Sequence, residues 1–304
     1  MNFRGLDLNL LVAMDALLTE RSTTRAGERI YLSQSAMSGA LARLRAFFDD
    51  ELLIQVGQRM VLTPLAEDLV NPVREALLAI EKVVNKDQVF DAGTSTRRFR
   101  IMLSDYAAVV LMTRAMPAIQ QMAPNVAIEL LSNSELALPS LDRGDIDLLM
   151  IARQYTSKSH PSEELFRDDY TCVVWAENPV IGDKLTLEQY LAAGHVVARL
   201  GREQMRSAEE QYIADSGIDR RIEAVVMGFS MLPQFVIGTS RIATLHTRLA
   251  RHYAEWLPLR LLKPPIQIPP LVEVMQWHHF RNDDRGLAWL RRALLDAAGQ
   301  GSSA

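Results

Sequence analysis

Residues 22–48 constrain the fold of this chain most strongly, because they predict two short helices joined by a tight turn. Ser22 is placed to cap the first helix, and Ser33 is placed to cap a second helix that ends near Phe48. The first helix is expected to run up to a turn at residues 31–33. Its apolar anchors are expected to be Ala26, Ile30 and Leu32. This arrangement is typical of a helix-turn-helix, whose second helix enters the major groove of DNA.

The second helix has an apolar face and a face of small side chains. Its apolar residues recur at spacings of three and four and predict one buried stripe: Met37, Ala40, Leu41, Leu44 and Phe48. Small side chains on the opposite face would let the backbone approach base edges: Ser35, Ser38, Gly39, Ala42 and Ala46. Gln34 and Ser38 are expected to bond to base edges, and the flanking Arg43 and Arg45 to reach phosphates.

A short hairpin is predicted after these helices. Apolar runs at 52–54 and 60–62 flank Gly57-Gln58-Arg59, a turn sequence that carries a cation. Such a hairpin beside a helix-turn-helix is a wing. The helix pair alone also fits an ordinary helical hairpin with a solvated face, but the turn, the stripe, the polar face and the wing together favour DNA binding.

A longer helix is predicted next, with Thr63 as its N-cap and Pro64 in its first turn. Its apolar residues follow the spacing of a heptad seam: Ala66, Leu69, Val73, Ala76, Ile80 and Val83. Pro72 lies within the seam and is expected to remove a hydrogen bond and bend the helix. The pattern fits either pairing between two copies of the chain or packing of one amphipathic helix on its own chain.

Beyond a polar linker at 87–96, strand and helix patterns alternate. The first set predicts strands at 99–103, 126–131 and 146–151, with helices at 106–122 and 136–143. The second set predicts strands at 170–176, 195–200, 222–226 and 242–245, with helices at 187–193, 203–216 and 231–238. The chain is then expected to return through a strand at 271–277 and end in a helix at 284–298. Such alternation predicts an α/β architecture.

These residues resemble the LysR-type transcriptional regulators, close to their nodulation-regulator branch. In the first 67 residues the likeness is carried by Leu32-Ser33-Gln34-Ser35-Ala36-Met37-Ser38, Leu44, Leu53, Arg59 and Leu62-Thr63-Pro64-Leu65-Ala66-Glu67. It continues through Arg98-Phe99-Arg100, Gly194-His195-Val196, Arg220-Arg221-Ile222-Glu223 and Gln276-Trp277, and so covers nearly the whole chain. Two positions depart from the family pattern: Ser35 stands where proline is usual, and Gln55-Val56 where many members have an aromatic and a basic residue.

The resemblance implies an α+β multidomain fold. It places a winged helix-turn-helix at 1–64, a linker and dimerisation helix at 65–90, and a two-lobed α/β periplasmic-binding-like effector domain at 91–304. Lobe 1 would span about 91–168 and 271–304, and lobe 2 about 169–270. The implied function is an activator that senses a small aromatic or phenolic co-inducer and acts as a homodimer or homotetramer. Its partners would be double-stranded promoter DNA and RNA polymerase.

The DNA-binding residues implied by the motif lie at the start of the second helix and around it. On the helix they are Ser33, Gln34, Ser35, Ser38, Gly39 and Ala42. Phosphate contacts are expected from Arg25, Arg43 and Arg59. The formal net charge is −4, and residues 1–64 carry balanced charges. Affinity must therefore depend on a few placed arginines and on doubling the module by dimerisation.

In open α/β sheets, ligands bind beyond the carboxyl ends of the strands. Residues at such positions are the effector-site candidates: Ser104, Asp105, Tyr106, Ser132, Asn133, Arg153, Gly201, Arg202, Gly228 and Phe229. They suit a ligand with an aromatic body and hydroxyl or carboxylate groups. For any one of them, a helix cap or an ordinary surface residue is the alternative.

The sequence gives little support for an exported or a membrane-spanning protein. The lone Cys172 lies in a strand-like run and is expected to be a buried small hydrophobe. No leader opens the chain, and its longest uncharged run, 224–240, is broken by polar residues, so we expect a cytoplasmic protein that does not span a membrane. A solute-binding or metabolic protein with an unrelated helical N-terminal domain is one alternative, and a regulator without an effector is another.

The sequence gives no indication of an enzyme. The histidines show no metal-ligand spacing, and the neighbours His278 and His279 are expected to point to opposite faces of a strand. His195 opens a predicted strand and is expected to be structural. P-loop, dinucleotide and nucleophile-elbow motifs are missing from the sequence. We therefore expect neither catalysis nor a metal or cofactor.

Overall fold

The helix-turn-helix forms because a left-handed residue ends its first helix abruptly. The computed structural model describes residues 8–57, 59–84 and 89–299. Tyr31 follows the first helix with φ of 58°, and the N–H of Leu32 donates to the carbonyl of Gly27 at 2.9 Å. A Cβ on Gly27 would lie 2.6 Å from the Leu32 carbonyl oxygen, so the turn is this tight only because residue 27 is glycine.

The chain divides into two compact units, an N-terminal unit of residues 1–88 with 142–144 and a C-terminal unit of residues 89–141 with 145–304. The N-terminal unit contains α1 (Leu8–Glu20), α2 (Thr23–Ile30), α3 (Gln34–Phe48), β1 (Leu53–Val56), β2 (Arg59–Leu62) and α4 (Pro64–Val84). Strands β1 and β2 pair antiparallel, with Leu53 opposite Leu62. The predicted helix pair and wing are confirmed.

The core of the N-terminal unit lies between α1, α3 and the start of α4. Met37, Leu41 and Leu44 of the predicted stripe are buried there, beside Met14 and Leu17 of α1. Leu32 was expected to be an anchor, and this is wrong, because the left-handed turn leaves its side chain 45% exposed.

The contacts of helix α4 show which part of its apolar seam packs on its own chain. The Thr63 hydroxyl accepts the N–H of Ala66 at 3.1 Å, as expected of an N-cap, and the helix continues through Pro72. Ala66 and Val73 pack into the core of their own unit, whereas Val83 is 73% exposed. The first half of the seam therefore packs on its own chain, and its end leaves apolar surface exposed.

The C-terminal unit contains two sheets. Its first part contains β3 (Arg98–Leu103), α5 (Asp105–Ala107), a π-helical segment (Ala108–Met112), α6 (Thr113–Met122), β4 (Ala127–Ser132), α7 (Ala137–Asp142), β5 (Leu148–Ala152) and β6 (Ser162–Asp168). Next come β7 (Tyr170–Trp175), α8 (Leu187–Ala192), β8 (Gly194–Leu200), β9 (Met205–Arg206), α9 (Ala208–Asp215), β10 (Arg221–Val226), α10 (Leu232–Val236), β11 (Ile242–His246), α11 (Thr247–Ala254) and β12 (Leu259–Leu262). The last elements are β13 (Leu271–Gln276) and α12 (Arg285–Gly299).

Each sheet forms the centre of one lobe. Lobe 1 has the strand order β4-β3-β5-β13-β6, and lobe 2 has the order β10-β8-β11-β7-β12 with β9 paired to β8. Strands β3, β4 and β5 are parallel, as are β8, β10 and β11, while the other neighbours on these paths pair antiparallel. The carboxyl ends of the parallel strands carry the predicted site residues, so the topology gathers them at the sheet edges.

The chain crosses between the lobes twice. It passes from β6 to β7 through Asp169, and from β12 to β13 through residues 263–270. The carboxylate of Asp168 accepts the hydroxyl of Tyr106 at 2.7 Å and the N–H of Arg248 at 3.1 Å. This side chain therefore ties the first crossover to both lobes.

Several elements differ from the predictions. Strands β6 and β12 and helix α11 were not predicted, and the helix expected at 203–216 begins only at Ala208 because residues 205–206 pair with β8. Strand β6 lies at a sheet edge, and its sequence is mostly charged with only the adjacent Leu165 and Phe166 apolar, so it has no alternating pattern. In the part of the chain that the structure describes, no helix combines the length and the hydropathy needed to cross a membrane.

Candidate DNA interface and effector cleft

The outward face of α3 presents small polar side chains to solvent. Gln34, Ser35, Ser38, Gly39 and Ala42 are all exposed. The hydroxyl of Ser33 accepts the N–H of Ala36 at 3.2 Å and lies 3.0 Å from the hydroxyl of Ser35, so it caps the helix. A face of this kind can approach base edges closely. That these residues contact DNA stays a prediction.

The arginines around α3 differ in what they contact. Arg43 on α3 and Arg59 at the start of β2 are exposed. Arg25 is also largely exposed, but its guanidinium lies 3.6 Å from the carboxylate of Glu20. All three arginines therefore present exposed side chains beside α3, and their phosphate contacts stay predictions.

Arg45 does not fit the phosphate role expected of it. Its guanidinium donates to the carbonyls of Glu51 and Leu53, both at 2.8 Å, and forms an ion pair with the Glu51 carboxylate at 3.1 Å. These bonds attach α3 to the first strand of the wing. The expectation is therefore wrong, because the side chain is engaged by its own chain.

Asp50 is a positioning residue that the sequence interpretation missed. Its Oδ1 atom accepts the N–H of Leu52 and the hydroxyl of Thr63, both at 2.6 Å. Since Thr63 also caps α4, this one carboxylate fixes the wing to the linker helix. The bond to the N–H two residues ahead is an Asx-turn, a local pattern that the sequence could have indicated.

The second site is a cleft between the lobes of the C-terminal unit, with a volume of about 640 Å³. Seven of the predicted effector residues line it: Ser104, Asp105, Ser132, Asn133, Gly201, Arg202 and Gly228. Apolar lining comes from Leu103, Leu136, Leu200, Met227 and Met231. The cleft therefore combines apolar walls with hydroxyl, amide, carboxylate and guanidinium groups, and its part in effector binding stays a prediction.

Asp105 joins the two walls of this cleft. Its carboxylate accepts the N–H of Phe229 at 3.1 Å, and both the N–H and the hydroxyl of Ser230 at 2.7 Å. A Cβ on Gly228 would lie 2.5 Å from Asp105 Oδ2, so glycine is required for this close approach. The carboxylate thus has three donors already and is a poor partner for a further hydroxyl.

Glu135 was not predicted, and it provides the acceptor that Asp105 lacks. Its Oε2 atom is buried and finds no hydrogen-bond partner among the described residues. A Cβ on Gly201 would collide with this oxygen, and the φ of 70° at Gly201 also favours glycine. Because Glu135 lies in a loop rather than directly after a strand, the rule that found its neighbours did not apply to it.

Three predicted residues do not line the cleft with their side chains. The side chain of Tyr106 is 1% exposed and stacks on His246 with ring centroids 3.9 Å apart, and burial raises the pKa of its hydroxyl. The ring of Phe229 packs on His246 as well, at 4.8 Å. Arg153 forms an ion pair with Glu164 at 2.6 Å and lines a separate cleft of about 380 Å³. These assignments are corrected because core packing and an ion pair hold the side chains elsewhere.

Two of the sequence assignments outside the cleft are confirmed. His195 is fully buried, its Nε2 lies 2.7 Å from the carbonyl of Tyr190, and burial lowers its pKa to about 4. Cys172 is fully buried in β7, and burial raises the pKa of its thiol to about 12. Both residues are neutral parts of the core.

The expectation that His278 and His279 point to opposite faces of a strand is wrong. His278 and His279 follow β13 instead of continuing it, and their rings stack at 4.5 Å. His160 joins them, so that one nitrogen atom from each ring lies within 4.8 Å of the other two. The pairing of β6 with β13 brings His160 there, which no local sequence spacing could reveal.

Comparison with known proteins decides the family. Residues 8–67 match the model described as "Bacterial regulatory helix-turn-helix protein, lysR family", and residues 92–299 match "LysR substrate binding domain". The chain belongs to the LysR family. It is thus a LysR-type DNA-binding transcriptional regulator, and the predicted winged helix-turn-helix and two-lobed α/β fold are confirmed. The alternative of a solute-binding or metabolic protein with an unrelated N-terminal domain is wrong.

Relatives of this LysR regulator support the nodulation-regulator branch. The chain is 45% identical over 304 residues to nodulation protein D 1 of Bradyrhizobium elkanii, covering 100% of this chain and 97% of that protein. It is 45% identical over 298 residues to nodulation protein D of Bradyrhizobium sp. (strain ANU 289), covering 98% and 88%. Among solved structures, the probable transcriptional regulator PA0477 from Pseudomonas aeruginosa is 32% identical with a TM-score of 0.65, covering 96% of this chain and 97% of that one.

Proposed function

We propose that this LysR-type regulator is an activator that binds promoter DNA through α3 and the wing and senses a small phenolic or aromatic molecule in the cleft between its lobes. It acts in the cytoplasm with RNA polymerase as its partner, and its role is binding rather than catalysis. Support comes from the exposed small face of α3 and from the relatedness to nodulation protein D.

The observation that carries the effector proposal is the unsatisfied Glu135 oxygen in a cleft with apolar walls. A buried acceptor without a donor is unfavourable by about 1 to 3 kcal/mol, and a ligand hydroxyl would relieve this. A ligand carboxylate brings no donor and would meet two carboxylates, those of Asp105 and Glu135, against the single guanidinium of Arg202 in the same lining. The cleft therefore suits an apolar ring body with hydroxyl donors better than an aromatic acid.

DNA recognition is proposed to need two modules. Two copies paired through α4 would place two α3 helices in successive major grooves of a partly palindromic site. Association of the C-terminal units would then give a tetramer. Effector binding would shift an existing equilibrium between assemblies, by as much as the differential affinity of the ligand for them, typically about 1 to 3 kcal/mol.

A footprint on the DNA upstream of the gene for this protein tests the proposal, with and without a panel of phenols, flavonoids and aromatic acids. We expect a protected site whose length or bend changes with a hydroxylated compound and not with the matching carboxylic acid. Protection that no compound alters would support instead a regulator without an effector.

Direct binding of the active compound then tests the cleft. Glu135→Ala should weaken binding at least about tenfold, because the lost hydrogen bond is worth roughly 1.4 kcal/mol or more. Glu177→Ala is the matched control, since Glu177 is exposed and lies outside the cleft lining. Equal affinities of the two variants would contradict the assignment of Glu135.

A further inference from the structure

Three histidines meet at one end of the lobe 1 sheet. His160 lies just before β6, and His278 and His279 lie just after β13. Strands β6 and β13 pair antiparallel, with Ser162 opposite Gln276, so the start of one strand lies beside the end of the other. One ring nitrogen from each of the three histidines lies within 4.8 Å of the other two.

The spacing of one pair of these nitrogens is close to the spacing of two ligand atoms on a metal ion, and the third nitrogen lies within 4.8 Å of both. The Nδ1 atoms of His160 and His279 are 3.4 Å apart. Zinc takes imidazole nitrogen at about 2.0 to 2.1 Å in tetrahedral geometry, which places neighbouring ligand atoms about 3.3 Å apart. The same 3.4 Å is longer than an ordinary hydrogen bond, which spans about 2.7 to 3.2 Å.

The polypeptide around His160 is held in place before any ion arrives. The Gln276 side chain accepts the N–H of Ser157 at 3.0 Å and donates to the carbonyls of Ser157 at 2.8 Å and His160 at 3.2 Å. The N–H of Trp277 donates to the carbonyl of Pro161 at 3.3 Å. These bonds attach the loop that carries His160 to the strand end that carries the other two ligands.

Access and charge also suit a cation. His160 and His278 are buried at 8% and 1% exposure, while His279 is exposed and opens the cluster to solvent. The neighbouring Arg281 is engaged by the carboxylate of Asp147, which offsets its charge. His278 Nδ1 accepts the N–H of Phe280 at 3.2 Å, a bond that orients the ring.

We propose that His160, His278 and His279 form a binding site for Zn²⁺, with three imidazole ligands and a fourth position open to water. Imidazole is a good ligand for zinc, and three protein ligands with one open position is an established geometry for this ion. The bound ion would fasten the start of β6 to the end of β13. This site is separate from the cleft and independent of the effector proposed above.

Metal titration of the full-length chain, prepared without a histidine tag and stripped with a chelator, tests the site. Zn²⁺ is titrated calorimetrically, and Co²⁺ is used as a spectroscopic probe of the coordination geometry. We expect one ion per chain and intense visible absorption of tetrahedral Co²⁺ that Zn²⁺ abolishes. His279→Gln should weaken Zn²⁺ binding at least tenfold, and because this residue is exposed the variant should fold normally.

Two further variants complete the test. His160→Gln should weaken binding in the same way, while His252→Gln, which changes an exposed histidine on α11, should leave it unchanged. No saturable binding in the unmodified chain would overturn the proposal. Unchanged binding in His279→Gln, or an equal loss in His252→Gln, would overturn it as well.

Discussion

Single side chains on and beside α3 are expected to divide recognition between phosphates and bases. Arg43→Ala should weaken binding to every DNA sequence and reduce the salt dependence by about one phosphate contact. Ser38→Ala and Gln34→Ala should instead narrow the preference for the operator over other sites. Binding measured at several salt concentrations on operator and unrelated DNA checks both effects.

Arg45→Ala serves as the contrasting variant for this prediction. Because Arg45 bonds to the carbonyls of Glu51 and Leu53, its loss should loosen the wing and lower stability. Equal losses on every sequence for Arg43→Ala, Ser38→Ala and Gln34→Ala would contradict the division into phosphate and base contacts.

The buried carboxyl of Glu273 predicts how the stability of the fold depends on pH. Burial in β13 raises the pKa of its carboxyl to about 8, from 4.5 when unfolded. The folded state therefore holds a proton that the unfolded state releases, so this contribution to stability is fully present below pH 4.5 and is lost as pH rises through about 8. The loss is on the order of 4 kcal/mol. Glu273→Gln should flatten the dependence of the urea midpoint on pH between 5 and 8.

Glu177→Gln, at an exposed position, is the control and should leave that dependence unchanged. His195 contributes with the opposite sign: its pKa of about 4 lies below the unfolded value of 6.5, so its contribution is lost as pH falls from 6.5 to about 4. A Glu273→Gln protein with the original pH profile would show that this carboxyl is ionised in the fold.

At the scale of elements, the turn between α2 and α3 predicts opposite effects at two glycines. Gly27→Ala places a methyl group 2.6 Å from the Leu32 carbonyl oxygen, and such overpacking destabilises by about 1 to 3 kcal/mol. Gly39→Ala meets nothing within 4 Å and should stabilise α3 by about 1 kcal/mol. Hydrogen exchange of amides in residues 23–48 measures both, and faster exchange in Gly39→Ala than in Gly27→Ala would contradict the packing.

Periodicity predicted the long or strongly patterned elements well. Caps and an apolar stripe located α3, and apolar runs located most of the parallel strands, because burial on fixed faces dictates both patterns. Strand β6 was not predicted, because an edge strand tolerates charged residues such as Glu163, Glu164 and Arg167. The two residues of β9 are too few for any pattern, so pairing with β8 alone defines them.

The effector cleft was predictable to the extent that it follows from topology. Ser104 and Asn133 follow parallel strands, and the structure brings both into the cleft. Glu135 lies in a loop whose path depends on contact with Gly201, and His160 meets its partners only through the register of β6 on β13. Neither the contact with Gly201 nor the register of β6 on β13 can be predicted from the local sequence.

For the whole molecule, the exposed end of α4 predicts how two copies associate. Val83 and Val84 are 73% and 70% exposed, and pairing of two chains there would bury them. Val83→Lys should raise the dimer dissociation constant at least roughly a hundredfold, because the change removes two buried valines from each dimer, at about 1.5 to 3 kcal/mol each. Light scattering measures the mass of the protein in solution. A Val83→Lys protein that associates as the unmodified protein does would exclude α4 as the interface.

Val180→Lys is the matched control, since this valine is 63% exposed and lies in lobe 2. Its mass in solution should equal that of the unmodified protein. Operator affinity should fall with dimerisation in Val83→Lys and stay the same in the control, because two modules must be joined to bind both half-sites.

The two crossovers between the lobes limit how the C-terminal unit can move. Strands β6 and β13 pair in one sheet, and their continuations β7 and β12 pair in the other, so one two-stranded ribbon runs through both lobes. Because the first crossover is the single residue Asp169, sliding one lobe along the other would pull residues out of β6 or β7, whereas a rotation alters backbone angles only near Asp169 and within residues 263–270. We therefore expect a ligand bound in the cleft to act through the angle between the lobes, a single degree of freedom.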